Sequence, residues 1–143
     1  MDSQKQKNMN ISHKFVVKEL SFVNKLKEGS GYQVKPVFSK KITKIDELQY
    51  DVSIKFEIID TQENPFPFSL KAIISLITTF GKDVELSKKE LDNYLNVTSI
   101  QILFPYLRAT VTGLTTAGLV NPLIIPIIDV NTFSKSLSNK EGD

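Results

Sequence analysis

A lone histidine is the residue of this chain with the most obvious capacity for chemistry. His13 with a serine and a carboxylate would supply the members of a hydrolytic triad, yet no serine lies in a Gly-x-Ser-x-Gly turn and His13 borders a polar terminus. The 143 residues contain no cysteine, so the chain lacks the several His or Cys ligands that zinc sites use. We therefore expect no catalytic residue, no metal and no cofactor.

Charged side chains are numerous, but their placement is typical of solvent-exposed faces. The carboxylates alternate with apolar residues on a predicted strand or precede it, and the lysines occur in short isolated pairs. The carboxylates are Asp46, Glu47, Asp51 and Glu57, and the lysines are Lys40, Lys41, Lys88 and Lys89. Gly29 and Gly31 precede a strand pattern rather than a helix, unlike a phosphate-binding loop. A net charge of +2, with lysines scattered among acids, does not predict nucleic-acid binding.

Composition predicts one globular domain that acts in the cytoplasm. Apolar residues make up 41% of the chain and charged residues 24%, an ordinary balance for a folded protein. Residues 1–10 lack the apolar stretch of a signal peptide, and the longest apolar run, residues 123–128, is too short for membrane insertion. We expect flexible polar tails at residues 1–12 and 136–143 around a domain at residues 13–135.

Alternating polarity predicts four strands joined by short turns. The clearest strand covers residues 50–58, where apolar and polar residues alternate throughout. Residues 32–38 alternate in the same way around Pro36, and residues 66–76 continue the pattern. From Ile73 onward both faces of that last strand are apolar, so we expect its far end to be covered on both sides.

The first strand, residues 13–26, contains an irregularity. Phe15 and Val17 have one parity, whereas Leu20 and Phe22 have the other. A strict period of two cannot place all four side chains on one face of a sheet. The sequence therefore predicts a β-bulge near residues 18–19.

Helix signals follow the strands. Ser87 and Glu90 form a capping box that predicts a short helix reaching about residue 95. Thr98 or Ser99 is placed to cap a longer helix, which ends near Gly118. Residues 119–128 form an extended apolar connection, which we call the crossover. A last short helix runs through residue 133. The predicted fold is α+β, with a meander-like four-stranded antiparallel sheet followed by one long helix and a short C-terminal helix.

The apolar surface of the long helix is wider than the part that contact with a single sheet would bury. Pro105 lies inside its apolar pattern and predicts either a kink or a late start of the regular helix. The threonines of the helix form either a partly buried flank or a contact between subunits, where Gly113 would let backbones approach. They are Thr110, Thr112, Thr115 and Thr116. The apolar excess favours a second copy and exposed binding grooves.

Residues 102–108 read Ile-Leu-Phe-Pro-Tyr-Leu-Arg, which closely resembles the I-L-F-P-Y-x-R signature of the SecB-like export chaperones. Residues 18–22, Lys-Glu-Leu-Ser-Phe, resemble the K-D-I-S-F segment of the same family. The resemblance covers about residues 12–135. It implies a homotetramer, built as a dimer of dimers, that holds unfolded client proteins without ATP, cofactor or chemistry.

The resemblance also implies two sets of site residues. Client grooves would be lined by apolar and aromatic residues of the sheet, the crossover and the last helix, and the helix would form the seam between subunits. The implied groove residues are Tyr50, Phe56, Phe66, Phe68, Leu119, Val120, Leu123, Ile124, Ile125 and Phe133. The implied oligomer interface is Phe104, Tyr106, Leu107, Arg108, Val111 and Leu114.

The chain departs from the family at the surface that docks on the export motor SecA. Glu19 matches one acidic docking position, but Val23 and Lys71 stand where acids are expected. The chain is slightly basic rather than acidic, and residues 136–143 lack the usual docking extension. These departures favour a dedicated client, such as the antitoxin of a toxin–antitoxin–chaperone system, over general delivery of preproteins to SecA.

Two further interpretations belong to other classes of protein. The same sheet and helix could serve only to build a non-catalytic oligomeric assembly subunit. An enzyme on an α+β scaffold would have to use His13, so His13→Ala would abolish its activity.

Overall fold

Four long strands form one sheet in this computed structural model, which describes residues 10–125 and 138–139. The strands are β1 (Ile11–Asn24), β2 (Val37–Asp46), β3 (Gln49–Ile58) and β4 (Phe68–Phe80). A two-residue strand, β5 (Ser138–Asn139), adds to one edge. The strand order is β1-β4-β3-β2-β5.

The four-stranded antiparallel sheet is confirmed, but the predicted meander is wrong for β1. Only β2, β3 and β4 follow one another as antiparallel neighbours, whereas β1 pairs antiparallel with β4. Residues 25–36 therefore carry the chain from one edge of the sheet to the other, which gives a Greek-key arrangement. Turn residues predict where the chain bends, but they do not predict strand order, which depends on contacts between residues distant in sequence.

The predicted bulge in β1 is confirmed. Val17 lies opposite Ile74 of β4 and Glu19 lies opposite Ile73, so the register shifts between Val17 and Glu19. The extra residue, Lys18, returns the apolar side chains before and after it to the same face. That face is the one on which the helix lies.

The predicted strand at residues 32–38 is wrong. The regular strand begins only at Val37, and its pairing with β3 extends to Asp46. Gly29 and Gly31 have φ angles of +104° and +89°, so the chain turns there through conformations that favour glycine. Pro36 has no amide hydrogen to give to a ladder, and it stands just before the first paired residue.

The helical region is continuous but changes geometry. Helix α1 (Lys88–Asn93) leads through a π-helical segment (Tyr94–Thr98) into α2 (Ser99–Ala117). The capping box is confirmed, because Glu90 N donates to Ser87 Oγ and Ser87 N donates to Glu90 Oε1. The predicted cap at the start of α2 is wrong: Thr98 makes no capping hydrogen bond, and the Ser99 hydroxyl donates to Tyr94 O. No cap is needed where the helix continues from a preceding turn.

Pro105 lies inside α2 and faces solvent. The face of the helix that contacts the sheet contains Leu103, Leu107 and Val111, all fully buried. Their partners are the alternating core residues of β3 and β4. Gly118 ends the helix as predicted, with its amide donating to Leu114 O at 2.9 Å.

The far end of β4 is incompletely covered on the side away from the helix. Ser75 is buried there, but Ile73 and Ile77 are partly exposed, so the expected cover on both sides is only partial. The predicted final helix and Phe133 lie outside the described residues. Ser138 and Asn139 fall within the predicted polar tail, yet they pair with β2. Among the described residues, no helix combines the length and apolar character needed to cross a membrane.

Candidate binding groove

An apolar cavity of about 390 Å³ lies between the start of β2 and the chain that follows α2. We call it the crossover groove; it is lined by Val34, Pro36, Phe38, Phe56, Leu123, Ile124 and Ile125. Phe38 and Phe56 face each other across the β2–β3 pair, with ring centroids 5.0 Å apart. The described wall residues thus come from three separate parts of the chain, and none of them is charged. This is the composition of a site that buries apolar side chains.

Helix α2 holds the wall formed by residues 123–125. The Thr112 hydroxyl donates to Leu123 O at 2.8 Å, and Leu123 N donates to the Thr115 hydroxyl at 2.9 Å. Arg108 Nε donates to the carbonyl oxygen of Ile125, two residues after Leu123, at 2.7 Å. Polar side chains of the helix therefore satisfy the backbone of a segment that has no regular structure of its own.

Ile124 lies between the tethered residues Leu123 and Ile125, and its side chain points into solvent. It is 69% exposed, whereas Ile125 is buried against the core. An isoleucine held in solvent between two tethered residues is available to a ligand without any rearrangement of the crossover.

Leu119 is the second exposed apolar residue of the crossover. Its φ angle is +62°, a left-handed conformation, and its side chain is 93% exposed. The amide of Leu119 donates to Thr116 O, and that of Val120 donates to Thr115 O, which completes a Schellman motif. Glycine is the usual residue at this position, so the chain keeps a strained and exposed leucine where glycine would be relaxed.

Four of the groove residues implied by the sequence line this cavity: Phe56, Leu123, Ile124 and Ile125. Tyr50 contacts Phe80 instead, at the opposite end of the sheet. Phe66 and Phe68 contact each other and are buried in the core. These three aromatics do not line the crossover groove, and Leu119 and Val120 are also absent from its described lining.

Sequence reasoning missed the opposite wall of the groove, Val34, Pro36 and Phe38. All three belong to the alternating apolar pattern at residues 32–38, so the signal was present. The pattern predicts a paired strand, whereas residues 34 and 36 lie in an irregular segment beside the cavity.

Comparison with known proteins identifies the family. The family described as preprotein translocase subunit SecB matches residues 2–140. The chain belongs to the SecB family. A search of curated proteins found no match.

One solved structure agrees with this assignment at the level of the fold. The SecB-like chaperone Rv1957 of Mycobacterium tuberculosis, in complex with a ChAD peptide from the HigA1 antitoxin Rv1956, aligns with a TM-score of 0.67 and 18% identity, covering 85% of this chain and 93% of that one. A protein of unknown function from Streptococcus agalactiae has a TM-score of 0.42 and 11% identity, covering 82% of this chain and 97% of that one.

The six residues of the predicted oligomer seam differ in how far the subunit itself buries them. Phe104, Leu107 and Val111 are buried on their own sheet, so their contacts are within one subunit. Arg108 binds the crossover, and Leu114 is partly buried. Of the six residues, only Tyr106 is largely exposed, at 53%.

Tyr106 belongs to an exposed apolar strip along β1. Its ring lies 4.4 Å from that of Phe15, measured between centroids, and Val17 and Leu20 face the same side of the sheet. All four side chains are at least 45% exposed. We call Phe15, Val17, Leu20 and Tyr106 the β1 strip.

The sheet face opposite the helix carries Glu19, the candidate residue for docking on SecA. Its carboxylate lies 3.5 Å from Lys71 Nζ, which is also 3.9 Å from the carboxylate of Glu57. Lys55 lies 3.5 Å from Glu57 in turn. Glu19 is thus part of an ion-paired row rather than of an acidic surface.

Among the described residues, His13 pairs with a tyrosine rather than with a serine and a carboxylate. Its Nε2 lies 2.6 Å from the Tyr94 hydroxyl at the start of the π-helical segment. Partial burial lowers the pKa of His13 and raises the pKa of Tyr94, so both groups are neutral at pH 7. Within the part of the chain that the structure describes, no three His, Cys, Asp or Glu residues are grouped as metal ligands would be.

A second polar link joins the π-helical segment to β2. Lys40 is buried, and its Nζ donates to Asn96 Oδ1 at 2.8 Å. Burial lowers the pKa of Lys40, while the negative charge of Asp92 acts in the opposite direction. With the His13–Tyr94 pair, this link fixes the helical region over the sheet from both sides.

Proposed function

We propose that this protein is a non-enzymatic holdase chaperone that binds unfolded polypeptide in the crossover groove. The observation that carries the proposal is an exposed Ile124 held between two residues whose backbone is hydrogen-bonded to α2. An apolar side chain of the client, once buried in the groove, contributes about 1.5–3 kcal/mol. Such binding selects exposed apolar side chains, which folded proteins hide and unfolded chains display.

The proposed client is a dedicated one, such as the antitoxin of a toxin–antitoxin–chaperone system. Two observations support this choice over general export. The related fold of Rv1957 was solved with an antitoxin peptide. In addition, the pairing of Glu19 with Lys71 leaves no net acidic surface at the proposed SecA-docking position. Delivery of preproteins to SecA is the alternative, and the description of the family favours it.

We propose a homotetramer, built as a dimer of dimers, as the working assembly. The β1 strip places four exposed apolar side chains beside an edge of β1 that pairs with no other described strand. A second copy would cover them and pair the strand edge, since exposed apolar edges otherwise promote aggregation. Action in the cytoplasm fits a chain without cysteine.

Suppression of aggregation tests the proposed activity. A chemically unfolded reporter enzyme is diluted into buffer with the full-length protein, and light scattering is recorded over time. We expect scattering to fall in proportion to the chaperone added, with no effect of ATP. Scattering unchanged at a large molar excess, together with an absence of binding to any unfolded chain, refutes the holdase proposal.

Stability of a neighbouring gene product tests the dedicated client. If an antitoxin is encoded next to this gene, its half-life in cells should shorten when the chaperone is deleted and recover when it is restored. A half-life that does not respond, combined with slower export of preproteins in the deletion strain, favours the SecA alternative.

A further inference from the structure

The edge of β2 that does not pair with β3 is occupied by the chain's own C-terminal region. Ser138 and Asn139 pair in parallel with Ser39 and Lys40. An open strand edge presents amide and carbonyl groups to any extended polypeptide, whatever its sequence. The protein thus contains one extended segment bound at its own sheet edge.

This edge adjoins the crossover groove. Phe38 lines the groove, and Ser39 is the next residue along β2. Successive side chains of a strand point to opposite faces, while the backbone groups remain in the plane of the sheet. A client whose apolar side chain enters the groove beside Phe38, and whose backbone continues along β2, therefore meets the groups that β5 uses.

We propose that Ser138–Asn139 is an intramolecular competitor, which occupies the strand-addition site at the β2 edge and is displaced when a client binds. The inference rests on the proposed function, because the competing ligand is the unfolded client. It assigns the β2 edge as a second part of the client site, one that recognises backbone rather than side chains.

The pairing that the structure describes is short enough for a client to displace. Among the described residues, β5 covers two positions of β2, a strand of ten residues, whereas strands in folded proteins are most often about five to six residues long. Tethering compensates in part, since linked segments reach effective concentrations in the millimolar range. A client that pairs over more of β2 makes more backbone hydrogen bonds than the tail. If it also fills the groove, it adds apolar contacts that the described tail residues do not make.

The size of the effect follows from the occupancy of the edge. The apparent dissociation constant of a ligand equals its intrinsic value divided by the fraction of protein that is competent to bind. If the tail occupies the edge for about nine-tenths of the time, its removal should tighten client binding roughly tenfold.

Proline variants of the tail test the proposal, because proline removes the amide needed for pairing. The test variant carries Ser138→Pro and Asn139→Pro, and Glu141→Pro is the matched control outside the described strand. Without any client, amide hydrogen exchange of the β2 peptide containing Ser39 and Lys40 should be faster in the double variant and unchanged in the control. This measurement does not depend on the chaperone activity.

The second measurement is the affinity for reduced, carboxymethylated α-lactalbumin, a permanently unfolded polypeptide. We expect the double variant to bind it roughly tenfold more tightly than the wild type, and the Glu141→Pro variant to match the wild type. Unchanged hydrogen exchange at β2, or faster exchange with unchanged affinity, overturns the competitor proposal while leaving groove binding intact. If neither the wild type nor any variant binds the probe, the proposed function itself fails.

Discussion

The Thr112 hydroxyl donates a hydrogen bond of 2.8 Å to the carbonyl oxygen of Leu123, and this bond ties the crossover to helix α2. The neighbouring Thr115 hydroxyl accepts from the amide of the same leucine. The threonines of α2 thus have a role that neither sequence-based interpretation included. They satisfy the backbone of a wall of the groove, so the helix positions the binding surface as well as covering the core.

Replacement of Thr115 by valine should loosen the crossover. The substitution keeps the buried shape but leaves Leu123 N without its acceptor, which costs about 1–3 kcal/mol in a buried setting. We expect the free energy of unfolding in urea to fall by that amount, and protease cleavage within residues 119–125 to accelerate. Thr116→Val is the control, because the Thr116 hydroxyl donates only within the helix, to Thr112 O. Equal stabilities of the two variants would contradict the positioning role.

Replacement of Leu119 by glycine should stabilise the protein and weaken client binding. Glycine removes the left-handed strain, worth about 1–2 kcal/mol, and loses part of that gain through the greater freedom of the unfolded chain. The exposed side chain contributes little to the core, so a rise in Tm of a few degrees is expected.

Leu26→Gly serves as the control for Leu119→Gly. Leu26 also has a positive φ angle, +56°, and is 84% exposed, but it lies in the connection between β1 and β2, whereas Leu119 lies in the segment that leads from α2 to the groove. Both variants should gain stability, while only Leu119→Gly should bind unfolded protein more weakly. Unaltered binding by Leu119→Gly would remove Leu119 from the client site.

The two glycines of the helix region should respond in opposite ways to alanine. A Cβ at Gly118 would lie 2.6 Å from ring atoms of Phe22, so Gly118→Ala should destabilise the subunit by forcing that ring to move. No atom lies within 4 Å of a Cβ at Gly113, so Gly113→Ala should add about 0.5–1 kcal/mol of helix stability. Urea unfolding measures both, and sedimentation velocity shows whether Gly113→Ala disturbs the proposed tetramer, as it would at a close helix contact between subunits.

Acid should weaken the protein through His13. Burial lowers the pKa of His13 in the folded state, so the unfolded chain takes up a proton first as the pH falls below about 6.5. Stability is therefore full above that pH and declines below it. The difference in urea midpoint between the wild type and His13→Gln should shrink from pH 7.5 to pH 5.5. A difference that is constant over this range would show that the His13–Tyr94 contact does not depend on a neutral imidazole.

Local features of the fold could be predicted from the sequence because their causes are local. Parity alone located the bulge between Val17 and Glu19, and the spacing of Ser87 and Glu90 located the helix start. The position of β1 beside β4 could not be predicted this way, since it depends on pairing between distant residues. The π-helical segment was not predicted either, and the two polar links that join it to the sheet, at β1 and at β2, depend on residues distant in sequence.

The sequence predicted one wall of the groove, residues 123–125, but not the opposite wall. Apolar residues at Leu123, Ile124 and Ile125 stood out in a segment with no helix or strand period. Phe66 and Phe68 had the same apolar character but are buried in the core, and composition does not distinguish a core aromatic from a groove aromatic. Only the position of each side chain relative to α2 separates the two cases.

The most direct test of the central claim is the affinity of the full-length protein for unfolded, carboxymethylated α-lactalbumin, measured for two isoleucine-to-aspartate variants. Ile124 is 69% exposed in the groove, and Ile45 is 48% exposed at the far end of β2. A charge at Ile124 should weaken binding at least tenfold, the loss expected for about 1.4 kcal/mol or more of apolar contact. Ile45→Asp should bind as the wild type does, with both variants folded and of unchanged oligomer size. Equal affinities of Ile124→Asp and the wild type would contradict the crossover groove as the client site.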